Sequence, residues 1–396
     1  MTANRFIDRR TVLAGIGATL AAPAVLRAQS GPIRLGALNP LTGVGGAYGP
    51  SMRDAIAGVI SDVNAKGGIL DREIVLISED TQTSPEAAVR AARKLIDVDG
   101  VASIMGTWAS SVTTAVAPLC WESKTMLFCV SGADSITELP HQGYIARTQP
   151  NSKLQIKVAG EFMLKEGGTQ FAWIGPQTPF AQSSIEILKG IAEGAGHGFE
   201  SLIYEADKST YRSEVDAILR DDPDFIMLGG YVADSTVLLR DIWQAGYEGM
   251  IIGPAYAVNN DLITALPAEV VEGVFTWEGA PAVDSTAYAN VKKILGVDVV
   301  DPYSAQTYDH ASLAVLSMAA GGDGTGETIR NTLRTVSQGD GPTVSSATQG
   351  LGDLPGQLNY SGASGPCDFN DIGDITGTQF LFKRIENGEA KDFERV

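Results

Sequence analysis

Cysteine is scarce in this sequence. The 396 residues include three cysteines, Cys120, Cys129 and Cys367, and so small and odd a number does not make a disulfide framework. Cys120 ends a predicted helix and Cys129 lies in the next predicted strand, so a bond between these two depends on geometry. We expect three small buried side chains.

The motifs of catalysis and metal binding are also missing. The three histidines, His141, His197 and His310, lie far apart and show no metal-ligand spacing. No serine stands in a Gly-x-Ser-x-Gly turn, and no lysine follows a glycine as in a phosphate-binding loop. The glycines near residue 45 do not fit the dinucleotide pattern, because that pattern wants glycine where Tyr48 stands. We therefore predict no catalytic residue, no metal and no cofactor.

The sequence has fewer basic than acidic residues, 29 against 47, and few long hydrophobic runs. The formal net charge is −18, which argues against nucleic acid and anionic membrane surfaces as partners. An apolar run over residues 12–26 follows Arg5, Arg9 and Arg10; it is too short to span a membrane and has the anatomy of a signal peptide. Residues 8–13 resemble a twin-arginine export signal. We expect residues 1–28 to be a signal peptide that is cleaved near Ala28.

Strands and helices alternate along most of the chain. Short apolar segments predict strands at Ile33–Leu38, Glu73–Glu79, Val101–Met105 and Met126–Val130, with helical spacing between them. This order requires parallel strands with right-handed crossovers, as in a doubly wound α/β sheet. After Arg147–Asn151 the alternation repeats to residue 253, so two α/β lobes are expected. Helices at 286–295 and 305–320 follow, and two strands, residues 366–369 and 379–385, are predicted near the C-terminus.

The segment Ser103–Cys120 predicts a ligand site. Its strand ends at Gly106, and Ser110 and Ser111 precede a helix that their hydroxyls can cap. Because the N-terminus of this helix faces the carboxyl ends of the strands, it lies where open α/β sheets hold ligands.

Four segments carry a resemblance to a known family: IRLGALNPLTGVGGAYG, DVNAKGGILDREIVLISEDTQTSPEAAVRAARKLI, DPDFIMLGGY and GPCDFNDIGDITG. From Ile33 to about Gly388, the chain resembles the periplasmic substrate-binding proteins of ABC importers, of the branched-chain amino acid and amide type. The resemblance implies two doubly wound lobes joined by three hinge crossovers, near Arg147–Pro150, Phe275–Gly279 and Ser361–Gly365. The first lobe would comprise residues 29–148 and 279–362, and the second residues 149–278 and 363–396.

The resemblance also implies a function. Such proteins close both lobes over one small polar ligand in the periplasm and then dock on a permease in the inner membrane. A sensory subunit that reports to a membrane receptor has the same fold and is an alternative, and a secreted enzyme is a third and much less favoured one. We expect a monomer, because the acidic surface and the closing motion both favour an unencumbered cleft.

Family pocket positions fall on residues from both predicted lobes. Those of the first lobe are Tyr48, Trp108, Ala109, Ser110, Ser111, Ser131, Ala133 and Asp134, and those of the second are Phe180, Tyr231, Ala255 and Tyr256. One of them departs from the family pattern: Ala255 stands where amino-acid binders of this family carry an acidic residue for the ligand's ammonium. Because a buried ammonium without an anionic partner is costly, an α-amino acid would need Asp134 as a substitute, and Asp134 equally fits a helix cap. Urea, short amides and aromatic or aliphatic carboxylates are the other open ligands.

Overall fold

The computed structural model describes residues 31–396, so the predicted signal peptide, residues 1–28, lies outside the described part. No helix within residues 31–396 is long and apolar enough to cross a membrane. The predicted α/β class is confirmed, because two separate sheets of mainly parallel strands organise the chain from Ile33 onward.

The first sheet is built from the N-terminal segments, in the order β2-β1-β3-β4-β5, and all its strand pairs are parallel. The elements are β1 (Ile33–Asn39), α1 (Gly49–Asn64), β2 (Ile74–Asp80), α2 (Pro85–Arg93), β3 (Ser103–Thr107), α3 (Ser110–Glu122), β4 (Met126–Cys129) and β5 (Ile145–Arg147). A π-helical turn, Lys94–Val98, follows α2, and a short 3-10 turn, Asp134–Ile136, follows β4. The four predicted strands of this region are confirmed, with shifts of one or two residues at their ends.

The second sheet has seven strands in the order β14-β13-β10-β9-β8-β6-β7, where β13 (Phe380–Glu386) and β14 (Glu389–Arg395) are the last two strands of the chain. Its chain runs through α4 (Ser152–Lys165), β6 (Gln170–Pro176), α5 (Pro179–Gly194), β7 (Gly198–Tyr204), α6 (Arg212–Ile218), β8 (Phe225–Leu228), α7 (Val232–Gln244), β9 (Met250–Pro254), α8 (Asn260–Ala265), α9 (Ala268–Val271) and β10 (Phe275–Gly279). Strands β6 to β10 pair in parallel. The repeat of the β-α pattern in the sequence therefore corresponds to a second sheet.

After β10 the chain returns to the first sheet. The elements are α10 (Thr286–Leu295), α11 (Pro302–Gly321), α12 (Gly326–Ser337), β11 (Thr343–Val344), α13 (Ala347–Gly350) and β12 (Asn359–Tyr360). Helix α11 is buried from Pro302 to Met318, and its Leu313 and Val315 share one core with Leu35 of β1 and Phe128 of β4. This central helix is buried on all sides, and it therefore also buries polar side chains such as Gln306, Asp309 and His310.

The chain passes between the two lobes three times. The first passage lies between Arg147 and Ser152 and the second between Gly279 and Thr286. The sequence placed the third at Ser361–Gly365, but Phe369 and Ile375 still belong to the core of the first lobe. The third passage therefore lies between Ile375 and β13 (Phe380–Glu386).

The C-terminal strands differ from the prediction. Residues 366–369 form only isolated bridges, whereas β13 continues into an unpredicted strand, β14 (Glu389–Arg395), at the edge of the sheet. Asn387 and Gly388 turn the hairpin with φ of 56° and 76°, the left-handed pair that suits a two-residue turn. Because β14 is an edge strand with mostly charged side chains, it lacks the apolar alternation that reveals other strands.

Candidate functional site

A partly enclosed cavity lies between the carboxyl ends of strands from both sheets. In this arrangement its volume is about 40 Å³, which holds roughly three water molecules, so a ligand the size of an amino acid enters only when the lobes separate or the lining side chains move. The lining residues follow β3, β4, β6, β8 and β9 or come from α4, α11 and the first crossover; they are Trp108, Ala109, Ser110, Val130, Gly132, Gln149, Gln155, Thr178, Phe180, Gly229, Tyr231, Tyr256 and Tyr303. The carboxyl ends of parallel strands are the place where such sheets hold ligands.

Aromatic rings from both lobes meet around Trp108. Its ring centroid lies 5.5 Å from that of Tyr231 and 6.3 Å from that of Tyr256, both of the second lobe. Tyr303, at the start of α11, packs edge-on at 5.8 Å. Burial raises the pKa of Tyr231 to about 12 and raises the pKa of Tyr256 and Tyr303 as well. The aromatic wall is therefore uncharged at neutral pH.

Two glycines let these rings approach. A Cβ on Gly45 would lie 2.8 Å from the Trp108 ring, and a Cβ on Gly132 would lie 2.6 Å from the ring of Phe180. Because contacts this short do not occur with real Cβ atoms, each glycine permits a ring to lie against the backbone. The Gly132 contact also joins the lobes, since Gly132 follows β4 and Phe180 begins α5.

The expectation that Ser110 and Ser111 cap helix α3 is wrong. The residue at the N-cap is Ala109, and no side chain caps the helix. Ser110 is the first helical residue, so its hydroxyl turns to the neighbouring loop and accepts a hydrogen bond from the Ala133 amide at 3.2 Å. Ser110 lines the cavity, whereas Ser111 does not.

Three predicted positions of the loop after β4 lie behind the cavity wall. The Ser131 hydroxyl donates to the carbonyls of Thr107 and Trp108, and Ala133 contacts Ser110 through its amide. The Asp134 carboxylate accepts from the Lys153 amide in the first turn of α4 at 3.3 Å, whereas the N-cap of α4 is Asn151 and the turn that Asp134 begins has no side-chain cap. Burial raises the pKa of Asp134. None of the three lines the cavity.

Tyr48 reaches across the lobes instead of lining the cavity. Its ring packs on Trp108 at 5.7 Å and on Tyr303 at 5.0 Å. Its hydroxyl donates to the Ala255 carbonyl at 3.0 Å and accepts from the Asn259 amide nitrogen at 3.0 Å. Ala255, another predicted ligand contact, thus contributes its backbone to an interlobe hydrogen bond and does not line the cavity.

Six of the twelve predicted site residues line the cavity, and seven other residues that line it were not predicted: Val130, Gly132, Gln149, Gln155, Thr178, Gly229 and Tyr303. Thr178 had a signal, because a threonine before a proline marks the start of a helix; its hydroxyl accepts from the Ala181 amide. Gln149 and Tyr303 had no such signal in the sequence. Gln149 lies in the first crossover, and Tyr303 lies on a helix that comes much later in the chain.

A buried ion pair lies near the cavity. Arg147 is fully buried and lies 2.6 Å from the Asp374 carboxylate. It also donates to the carbonyls of Ser131 and Ala133 and to the Thr137 hydroxyl. This network fixes the loop after β4 and holds the segment before the third crossover against the first sheet.

No group of three or more His, Cys, Asp or Glu side chains within residues 31–396 is placed to hold a metal ion. The three cysteines are buried and unpaired, as expected.

Two α/β lobes that close over a cavity at their strand ends define a two-lobe solute-binding protein. Residues 32–352 match the family model described as periplasmic binding protein, and the chain belongs to this family. One relative is the chemotactic signal transduction system substrate-binding protein BasB of Halobacterium salinarum, 27% identical over 355 residues, which cover 85% of this chain and 83% of BasB.

Solved structures agree on the fold. The leucine-binding protein LivK of Thermotoga maritima superposes with a TM-score of 0.78 at 19% identity, over 92% of this chain and 98% of that chain. A solute-binding protein of an ABC transporter from Rhodopseudomonas palustris, in complex with p-hydroxybenzoic acid, gives 0.76 at 16% identity, over 92% and 97%. The type I periplasmic binding fold implied by the resemblance is thereby confirmed.

Proposed function

We propose that this protein is the periplasmic solute receptor of an ABC importer and that it captures one small polar ligand in the cavity around Trp108. The observation that carries the proposal is the cavity itself, whose lining residues come from both lobes. Closure of two lobes brings contacts from both sides and excludes water. An affinity in the micromolar range, about 8 kcal/mol, is within reach of such a site.

Ser110 and Tyr231 are the proposed polar contacts of the ligand, one from each lobe. Tyr231 lines the cavity at the start of α7, and its hydroxyl carries no hydrogen bond that anchors it elsewhere among the described contacts. Trp108, Phe180 and Tyr256 would pack against the ligand's body. Tyr48 is proposed to act on ligand binding only indirectly, by stabilising the closed arrangement of the lobes, because its ring packs on Trp108 and does not line the cavity.

The first experiment is a thermal-shift screen of the chain from residue 29 against amino acids, amides, urea and carboxylates. A ligand that binds only the folded state raises the melting temperature. Ser110→Ala and Tyr231→Ala should weaken the binding of a hit without unfolding the protein, and Tyr247→Phe, remote from the cavity, should leave it unchanged. Wild-type affinity in both cavity variants would contradict the proposed site.

A second candidate function is that of a ligand sensor, because BasB is by name part of a chemotactic signal transduction system. Reconstitution separates the two. Ligand-dependent stimulation of ATP hydrolysis by the partner permease complex in vesicles supports the importer, and ligand-dependent binding to a membrane receptor without transport supports the sensor. N-terminal sequencing of the exported protein tests cleavage near Ala28, and sedimentation tests the monomer.

A further inference from the structure

The wall of the cavity contains no ionised side chain. Its thirteen residues are aromatic, small, or carry a hydroxyl or carboxamide group. The tyrosines among them stay protonated, because burial raises the pKa of each one. The polar side chains that remain are Ser110, Thr178, Gln149 and Gln155. A ligand that enters this cavity therefore meets dipoles and aromatic faces but no formal charge.

Three carboxylates of neighbouring elements are engaged elsewhere. Asp134 accepts from the start of α4. Asp301 caps α11, where it accepts from the amides of Tyr303 and Ser304 and from the Ser304 hydroxyl. Asp374 pairs with Arg147. None of these acids lines the cavity. Asp134 therefore does not take the place of the acidic residue that amino-acid binders of the family carry at the position of Ala255.

An ammonium group in this cavity would lose its water without gaining an anion, and such a burial is strongly unfavourable. An acyl oxygen, in contrast, would find hydrogen-bond donors in this cavity. Helices α3 and α7 begin at the cavity from opposite lobes without a side-chain cap, so amides of their first turns are available as donors. The five aromatic residues of the wall provide an apolar surface for the rest of the molecule.

Resting on the proposed function, we propose that the cavity binds acyl solutes that lack an amino group, carboxylates or primary carboxamides with an apolar body, and that it excludes α-amino acids. This selectivity follows from the uncharged wall and separates the protein from receptors that hold an amino acid by both its charged groups.

Calorimetric titration with matched compounds tests the proposal. The pairs are leucine with 4-methylpentanoate and phenylalanine with 3-phenylpropanoate, together with the two corresponding carboxamides. We expect a member without an amino group to bind at least tenfold more tightly than its amino acid. Equal or tighter binding of an amino acid would overturn the proposal and leave the receptor function intact. If the broad screen finds a ligand that is not an acyl compound, the proposal is also overturned; if it finds no ligand at all, the receptor function fails with it.

Gln149→Glu distinguishes the two acyl classes. The Gln149 side-chain oxygen accepts from the Gln306 amide nitrogen at 2.6 Å, and a glutamate keeps that acceptor while it adds a negative charge to the wall. Binding of a carboxylate should fall at least tenfold, whereas binding of a carboxamide should change less than about threefold. Gln182→Glu, on the exposed face of α5, adds the same charge outside the cavity and should leave both unchanged. Tighter binding in Gln149→Glu would identify a cationic ligand and overturn the proposal.

Discussion

The hydroxyl of Tyr48 should stabilise the closed arrangement of the lobes. It belongs to the first lobe and makes two hydrogen bonds to the second, one to the Ala255 carbonyl and one from Asn259, each 3.0 Å long. Tyr48→Phe removes both and keeps the ring that packs on Trp108 and Tyr303. In an open form water solvates the same groups, so the loss falls on the closed form alone.

A net hydrogen bond contributes about 0.5–1.5 kcal/mol, so the closed form should lose about 1–3 kcal/mol relative to the open form. Because ligand binding is coupled to closure, the apparent Kd should rise by a factor of about 5 to 150. Calorimetric titration measures the Kd, and small-angle X-ray scattering measures the share of open molecules, which should increase in the variant.

Tyr288→Phe is the matched control. The Tyr288 hydroxyl accepts from the Val300 amide at 3.0 Å, and both residues lie in the first lobe. This variant should lower the free energy of unfolding slightly and leave the Kd unchanged. A Tyr48→Phe protein whose Kd stays within twofold of wild type would refute the role of the hydroxyl in closure.

Three further changes have defined outcomes. Gly132→Ala places a Cβ 2.6 Å from the Phe180 ring. Such overpacking costs about 1–3 kcal/mol, and it arises only when the lobes close. Calorimetry should therefore show weaker ligand binding with little change in the free energy of unfolding. Arg147→Ala leaves the buried Asp374 carboxylate unpaired and should lower the unfolding free energy by about 3–5 kcal/mol in urea titrations. Burial lowers the pKa of His310 from 6.5 to about 3, so the unfolded chain binds a proton at this histidine before the folded chain does as the pH falls. Between pH 7 and pH 5 this difference should lower the free energy of unfolding by roughly 2 kcal/mol. His310→Gln should remove that loss.

Each of these predictions has a control or a contrary outcome. For Arg147 the control is Lys157→Ala, since Lys157 and Glu161 form an exposed pair 3.8 Å apart that should be worth less than about 0.5 kcal/mol. Unchanged affinity in Gly132→Ala would show that the lobes need not approach as closely as Gly132 and Phe180 do. An unaltered difference in stability between pH 7 and pH 5 in His310→Gln would assign it to other groups.

The elements of both sheets were predictable from the sequence because burial leaves a periodic trace. Segments such as Val101–Met105 are apolar except for Ser103, as is typical of strands covered on both faces. The edge strand β14 left no such trace, since one side of it meets solvent. The third crossover was misplaced for a related reason: residues 366–375 resemble a surface loop, yet the ion pair between Arg147 and Asp374 attaches them to the first lobe.

The cavity was predictable only in part. Trp108, Ser110 and Tyr231 directly follow strands, and the carboxyl ends of parallel strands converge whatever the rest of the chain does. Gln149, Tyr303 and the interlobe hydrogen bonds of Tyr48 had no local signal. Sequence by itself determined two α/β lobes with a site at their strand ends, because the alternation of strand and helix dictates parallel sheets. Only the tertiary structure decided which side chains form the cavity wall and showed that none of them is charged. The wall is assembled from distant segments, and only the order of the strands and the closure of the lobes bring these segments together.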